Sequence, residues 1–255
     1  MGRAKDIVLK VIPAKIANDF IKQNHYSGKV VNNSSLHFGA FLDGVLGGVM
    51  SYGSPLDKRK VLPLVHTAEG VEVLWNEMLE LNRMAFSDIL PRNSESRCIA
   101  ISFKLIKKNA PHIKWVLSFS DGTQCGDGTI YRASGFQLTS IKANDQIWEA
   151  PDGTKISRLV ATNNNKGSGR EALLSYAKKF GDIGATNKAS MTPFIKVGYS
   201  ALIGFQMRYI YLLDKTCKIT VPVLPFSEIE KQGAGMYKGE KRNTQAGEAQ
   251  EKCSD

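Results

Sequence analysis

Over the first 141 residues the apolar positions switch repeatedly between a two-residue and a helical period. That switching restricts the chain to a sheet with helices inserted between its strands. Residues 6–12 read as a strand, closed by Pro13. Over residues 14–24, Ile16, Ala17, Phe20 and Ile21 recur at helical spacing, an amphipathic helix. Residues 37–42 and 45–52 are two strands around Asp43-Gly44, a hairpin signal because both turn residues accept positive φ. Residues 54–70, with Pro55, Pro63 and Gly70, read as loop. Residues 71–86 fit either period, and the alternation from Glu80 to Met84 favours a strand in the second half. A helix follows, with Ile99, Ala100, Phe103, Leu105 and Ile106 on its apolar face. Its N-cap is Asn93 or Ser94, whose side-chain oxygen suits a free backbone amide. Residues 113–119 form a strand, Thr129 to Ser134 a short helix stopped by Gly135, and residues 136–141 another strand. The expected class is α/β (α+β), a mixed central sheet flanked by helices.

From 143 to 204 the pattern loosens into a basic insertion before the last hairpin, with one helix over 169–180. That hairpin pairs residues 207–213 with 218–224, turning at Asp214 to Cys217. Residues 226–255 read as a flexible tail, disordered from 238. Residues 1–225 are thus expected to be a single catalytic domain.

Charge narrows the partners. The chain carries 34 Lys+Arg and 24 Asp+Glu, a formal net charge of +10. Residues 142–218 hold 12 Lys+Arg against 6 Asp+Glu, more than half of the excess. Such an excess favours a polyanion such as nucleic acid. The alternatives are a solvated basic surface or a basic enzyme that never meets nucleic acid. No apolar run approaches the roughly 20 residues that cross a bilayer, and no signal-like block follows the basic N-terminus. A cytoplasmic protein with no membrane partner is expected. Cys98, Cys125, Cys217 and Cys253 form no Cys-x-x-Cys pair and read as reduced thiols.

The polar segments are more specific than the periodicity. They are His25-Tyr26-Ser27, Glu80-Leu81-Asn82-Arg83-Met84-Ala85, Asn93-Ser94-Glu95-Ser96-Arg97, and the run from Ser118 to Phe136 containing Asp121-Gly122-Thr123-Gln124-Cys125-Gly126-Asp127-Gly128. Together and in this order they resemble the phage Mom family, over residues 7–141, at the Tyr209-to-Pro225 stretch and at Gly233 to Gly239. The resemblance implies a fold like that of the GCN5-related N-acetyltransferases. It also implies conversion of adenine in phage DNA to N6-(carbamoylmethyl)adenine, which protects the DNA from host restriction. To the basic excess the resemblance adds contact of Lys178 and Lys179 with the backbone of double-stranded DNA.

It implies site residues as well. His25 would be a base near neutral pH, and Tyr26 would stack on the adenine or donate its hydroxyl. With Asp121 these two would form an iron site, or a hydrogen-bonded cluster without metal. Asp121 is expected at the carboxyl end of its strand, where open sheets bind ligands, or is simply a turn former beside Gly122. Tyr131 is a core aromatic or a general acid. Gly126 and Gly128 serve backbone geometry, and Asp127 caps the following helix. Arg83, Ser96 and Arg97 would bind the donor, Ser96 near a helix N-terminus that favours phosphate; Arg83, on a strand flank, would bind an anionic donor or pair with Glu80. Residues 90–97 lack the glycines with which acetyltransferases of this superfamily wrap a pyrophosphate, which disfavours acetyl-coenzyme A. An activated glycyl group on an aminoacyl-tRNA is the other donor. Two readings compete: an ordinary N-acetyltransferase, and a non-catalytic basic nucleic-acid-binding protein.

Overall fold

The computed structural model describes residues 3–25, 27–123, 126–237, 240 and 241. In chain order, β1 is Val8–Val11, α1 Ala14–Asn24, β2 Ser34–Leu42, β3 Val45–Gly53, α2 Lys58–Val61, β4 Val65–His66, β5 Met78–Phe86 and α3 Ser94–Asn109. Next come β6 Trp115–Asp121, α4 Thr129–Ala133, β7 Gln137–Asn144, β8 Ile147–Glu149, β9 Lys155–Ser157, α5 Arg158–Ala161, α6 Arg170–Ala177 and α7 Thr192–Ile195. The last are β10 Ser200–Ala201, β11 Gly204–Leu212, β12 Lys218–Ile219, α8 Ser227–Lys231, β13 Met236–Tyr237 and β14 Glu240–Lys241. Seven strands form one mixed sheet in the order β1-β2-β3-β5-β6-β11-β7, with helices flanking it as the periodicity implied.

The chain divides into two compact units. The first comprises Met1–Ser120, Gly128–Ser140 and Met207–Glu228; the second comprises Asp121–Asp127, Ile141–Gln206 and Ile229–Asp255. Residues 143–204, expected as an insertion, fall within the second unit, which the Asp121 loop and the C-terminal stretch join.

Each face of the sheet in the first unit has its own core. On one face, Ala17 and Ile21 of α1 meet Ile12, Val49 and Ala85. Beside them Val61, Val65, Met78, Trp115, Leu117 and Ile210 are buried together. On the other face α3 buries Cys98, Ile99, Phe103 and Ile106, and Phe103 contacts the rings of Phe136 and Tyr211. Each fully buried side chain of this size contributes about 1.5–3 kcal/mol.

Several local expectations are corrected. The stretch after β11 is no hairpin partner to it: β11 lies between β6 and β7, so both its edges are taken, and β12 pairs antiparallel with β4. Residues 54–70 are not all loop, because Val61, Leu64 and Val65 are apolar enough to bury α2 and β4. Asn93 does occupy the N-cap of α3, but at φ 66° and without a side-chain bond to the helix. Gly128, not Asp127, occupies the N-cap of α4, and Asp127 is fully buried. The C-terminal stretch holds α8 and a short β13–β14 pair, with Ile229, Ala234 and Met236 buried. The disorder expected beyond 241 falls outside the described residues.

In the second unit, Ala161, Ala177, Met191, Phe194 and Tyr199 gather into a core. Arg170, 3% exposed, crosses this core and donates to the carbonyls of Ala161, Ser190, Thr186 and Lys188. A buried guanidinium needs acceptors for its N–H groups, and here backbone carbonyls supply them. One of the region's 12 basic residues is therefore spent on the fold.

Candidate active site

The parallel strands β5 and β6 pair only over Met78–Trp115, Leu79–Val116 and Glu80–Leu117. Beyond that point both strands continue but the ladder stops, so their carboxyl halves part. Against β3, Gly53 faces Glu80, Tyr52 faces Leu81, and Ser51 faces Arg83, which makes Asn82 an extra, bulged residue on β5. A bulge re-aims the side chains beyond it. Residues three apart on a regular strand point to opposite faces; here Glu80 and Arg83 share one. Two buried polar atoms beside the opening, Asn82 Nδ2 and Ser120 Oγ, have no hydrogen-bond partner among the described residues. Buried polar groups are nearly always paired, so these two are available to a ligand's or a water's polar atoms.

On the face shared with α1, Arg83 donates from Nε to the Lys29 carbonyl at 3.0 Å and from Nη1 to the Asn82 carbonyl at 2.8 Å. Ser34 donates to Asn82 Oδ1 at 2.9 Å. His25 stands at the C-cap of α1, with Nδ1 2.8 Å from Ser27 Oγ and accepting from the Ser27 amide at 3.1 Å. Burial, reinforced by the charge of Arg83, lowers its pKa to about 4. The imidazole is therefore neutral at pH 7 and a weaker base than the sequence suggested. Burial raises Glu80 to about 7, against the opposing pull of Arg83. Arg83 thus stands with His25 and Glu80 rather than with Ser96 and Arg97. Tyr26 lies outside the described residues.

On the α3 face, the Tyr131 ring lies 5.3 Å from those of Phe136 and Tyr209. It is half-buried, so it packs as a core aromatic and also keeps an open edge. α4 starts where it does because Gly128 takes φ +79°, and a Cβ there would lie 2.5 Å from the Tyr209 ring. Tyr52 is hydrogen-bonded to Ser102 at 2.7 Å, and the nearby Tyr131 adds to the burial that pushes the Tyr52 phenol up. Ser118 donates to the Leu81 carbonyl at 3.0 Å, one residue beyond the last paired rung.

A cleft of about 530 Å3 opens at the N-terminus of α3, lined by Lys5, Arg92, Asn93, Ser96, Arg97 and Ser134. Ser96 and Arg97 are brought together here, and Arg97 also reaches the Lys5 carbonyl at 3.0 Å. First-turn amides have no partner within a helix and attract anions, so three cations and this helix end suit phosphate. Asn93 takes the left-handed backbone that glycine would otherwise supply in this loop. Lys5 was missed because nothing in a short N-terminal segment shows where it docks.

In the second unit, Asp121 Oδ1 accepts from the Thr123 amide at 3.0 Å and from the Thr123 hydroxyl. Gly122 donates to the Phe205 carbonyl at 2.9 Å, and a Cβ on Gly122 would lie 3.1 Å from that of Met236. Gly126 bridges Tyr237, so the C-terminal segment braces the Asp121 loop. Lys178 and Lys179 are exposed, and Lys179 Nζ sits 4.5 Å from the centre of the Tyr176 ring. Among the described residues no three His, Cys, Asp or Glu side chains gather as a metal site.

The sequence model of the Mom protein family matches residues 6–228. The chain belongs to the Mom protein family. It is similar to methylcarbamoylase Mom of Escherichia phage Mu, 33% identical over 177 residues, which is 69% of this chain and 70% of that Mom protein. Among solved structures it is similar to the spermidine/spermine N-acetyltransferase of Vibrio cholerae, at TM-score 0.41 and 7% identity over 84% of this chain and 96% of that one. It is likewise similar to the ribosomal-protein-S18-alanine N-acetyltransferase of Escherichia coli, at TM-score 0.40 and 8% identity over 81% and 94%. For this Mom family member the fold rests on the strand order and the parted β5–β6 pair. The four polar segments lie inside residues 6–228, and the stretch from Gly233 to Gly239 lies beyond that match.

Proposed function

We propose that the chain is a transferase that converts adenine in DNA to N6-(carbamoylmethyl)adenine, as its Mu relative's name and the Mom resemblance suggest. The observation that carries this reading is the opening between β5 and β6, with orphaned polar atoms beside it and Tyr131 on one flank. The adenine amine is a poor nucleophile, because its lone pair is delocalised into the ring. Modification therefore needs a proton acceptor, an activated donor, and a base extruded from the duplex. Lys178 and Lys179 are proposed to meet the DNA backbone, and His25, Tyr26 and Asp121 each to serve the modification reaction.

The α3 cleft suits a phosphate-bearing donor, with Lys5, Arg92, Ser96 and Arg97 holding its phosphates. Both acetyl-coenzyme A and a charged tRNA satisfy that requirement. Bond accounting favours a glycyl ester on tRNA. Acyl transfer to N6 gives N6-glycyladenine, whose free amine attacks C6 through a five-membered spiro ring and expels the amide nitrogen. The result is adenine–NH–CH2–C(O)NH2, with no oxidant needed. Acetyl transfer would instead leave a carbonyl on N6 and demand an oxidative step at the methyl carbon.

The test is nucleoside mass analysis of bacterial DNA after expression, with labelled glycine in the medium. Adenosine heavier by one carbamoylmethyl group is expected, with both glycine carbons retained and glycine nitrogen attached to C6. Soluble, folded protein with only unmodified or methylated adenine overturns the reading. Label from acetate and none from glycine restores acetyl-coenzyme A. Acetylation of small molecules without any DNA product identifies an ordinary N-acetyltransferase.

A further inference from the structure

We propose that the Glu80 carboxylate takes the proton that leaves the acceptor amine, with Arg83 as the positioning residue beside it. The assignment rests on the adenine-transferase reading and supplies the proton acceptor which that reading requires. Glu80 ends the paired part of β5 and stands at the mouth of the opening. The bulge at Asn82 turns Arg83 onto the same face, and Arg83 is itself fixed by the carbonyls of Lys29 and Asn82. The neighbours of Glu80 within the sheet are Gly53 and Leu117, neither of them titratable. Two imidazoles described on this face, those of His25 and His37, both have their pKa lowered by burial. Neither competes with a carboxylate that burial has made more basic.

Asn82 provides an independent observation. Its Oδ1 accepts from Ser34, which leaves Nδ2 as a buried donor without a partner among the described residues. Adenine presents a donor, N6–H, next to a ring-nitrogen acceptor, and an acceptor–donor pair matches that edge. Glu80 supplies the acceptor and Asn82 the donor. In the transfer, the N6 lone pair forms the new N–C bond to the donor's acyl carbon, and the acyl carbon–oxygen ester bond breaks. The N6 proton passes to Glu80, and the departing oxygen takes a proton from the Tyr131 hydroxyl. Solvent then restores both groups.

The experiment uses the full chain and plasmid DNA in a bacterial extract that supplies charged tRNA and coenzyme A. Modified adenine is read by mass, and plasmid affinity is measured separately. Glu80→Gln should lower modification by about 100-fold or more, the scale of a lost acid–base group, with plasmid affinity unchanged. The amide should fold at least as well at alkaline pH, because burial opposes ionisation of the native carboxyl. Glu80→Gln that modifies within about tenfold of wild type overturns the assignment. Should that variant fail to fold, the wild-type pH profile decides. A rise in rate with a midpoint near 7 that moves in Glu80→Asp supports Glu80, and a flat profile overturns it. Wild type that yields no modified adenine at all defeats the transferase reading first, and the assignment falls with it.

Discussion

Gly128 joins the fold to the catalytic proposal, and replacing it tests that join. Gly128→Ala forces a side chain onto φ +79° and drives its Cβ to 2.5 Å from the Tyr209 ring, far inside contact distance. The left-handed backbone costs a residue with a Cβ about 1–2 kcal/mol. Overpacking against a fully buried tyrosine adds about 1–3 kcal/mol. The expected loss is thus about 2–5 kcal/mol, a large share of a stability of roughly 5–15 kcal/mol. Urea unfolding followed by tryptophan fluorescence measures it, since Trp115 is fully buried in the same unit. A double-mutant cycle with Tyr209→Leu separates the two causes: the steric part, about 1–3 kcal/mol, should vanish while the backbone part remains. Because Gly128 sets the start of α4, modification by Gly128→Ala should also fall at temperatures where the chain is still folded. A loss below about 1 kcal/mol, or no coupling to Tyr209, would refute the close packing of α4 against β11.

Two further outcomes are expected. Tyr131→Phe keeps the ring contacts with Phe136 and Tyr209, and Asp121→Asn keeps an acceptor for Thr123. Both variants should lose modification by about 100-fold while melting within a few degrees of wild type; a melted variant would mark that residue as structural instead. Plasmid affinity should fall steeply with salt, and reversing Lys178 and Lys179 to Glu should weaken it and flatten the slope by about two counterions. An unchanged slope in a filter-binding assay would remove these lysines from the DNA contact.

The elements of the sheet were legible where periodicity and length agreed. α1 and α3 announce themselves through apolar faces, and Asp43-Gly44 marks the β2–β3 turn at the residues where it occurs. Strand partners were less legible, because pairing is a tertiary choice: nothing in residues 218–224 shows that both edges of β11 are already taken. The polar segments pointed to His25, Asp121, Tyr131, Ser96 and Arg97 through their family resemblance, which polarity and spacing alone would not have supplied. For Arg83 the sequence left two readings open, an anionic donor or a pairing with Glu80, because a bulged residue leaves no mark in composition. The bulge at Asn82 puts Arg83 on the face of Glu80, where it also acts on His25.

Arg170 has a consequence for how the second unit opens. One guanidinium holds carbonyls at Ala161, Thr186, Lys188 and Ser190, segments that share no sheet ladder with one another. Releasing any one of them leaves a buried guanidinium N–H short of an acceptor, so the four segments have little freedom to let go separately. Amide hydrogens in α5, in α6 and across 186–190 should therefore exchange with a common free energy, as one cooperative block rather than a graded series of fraying loops.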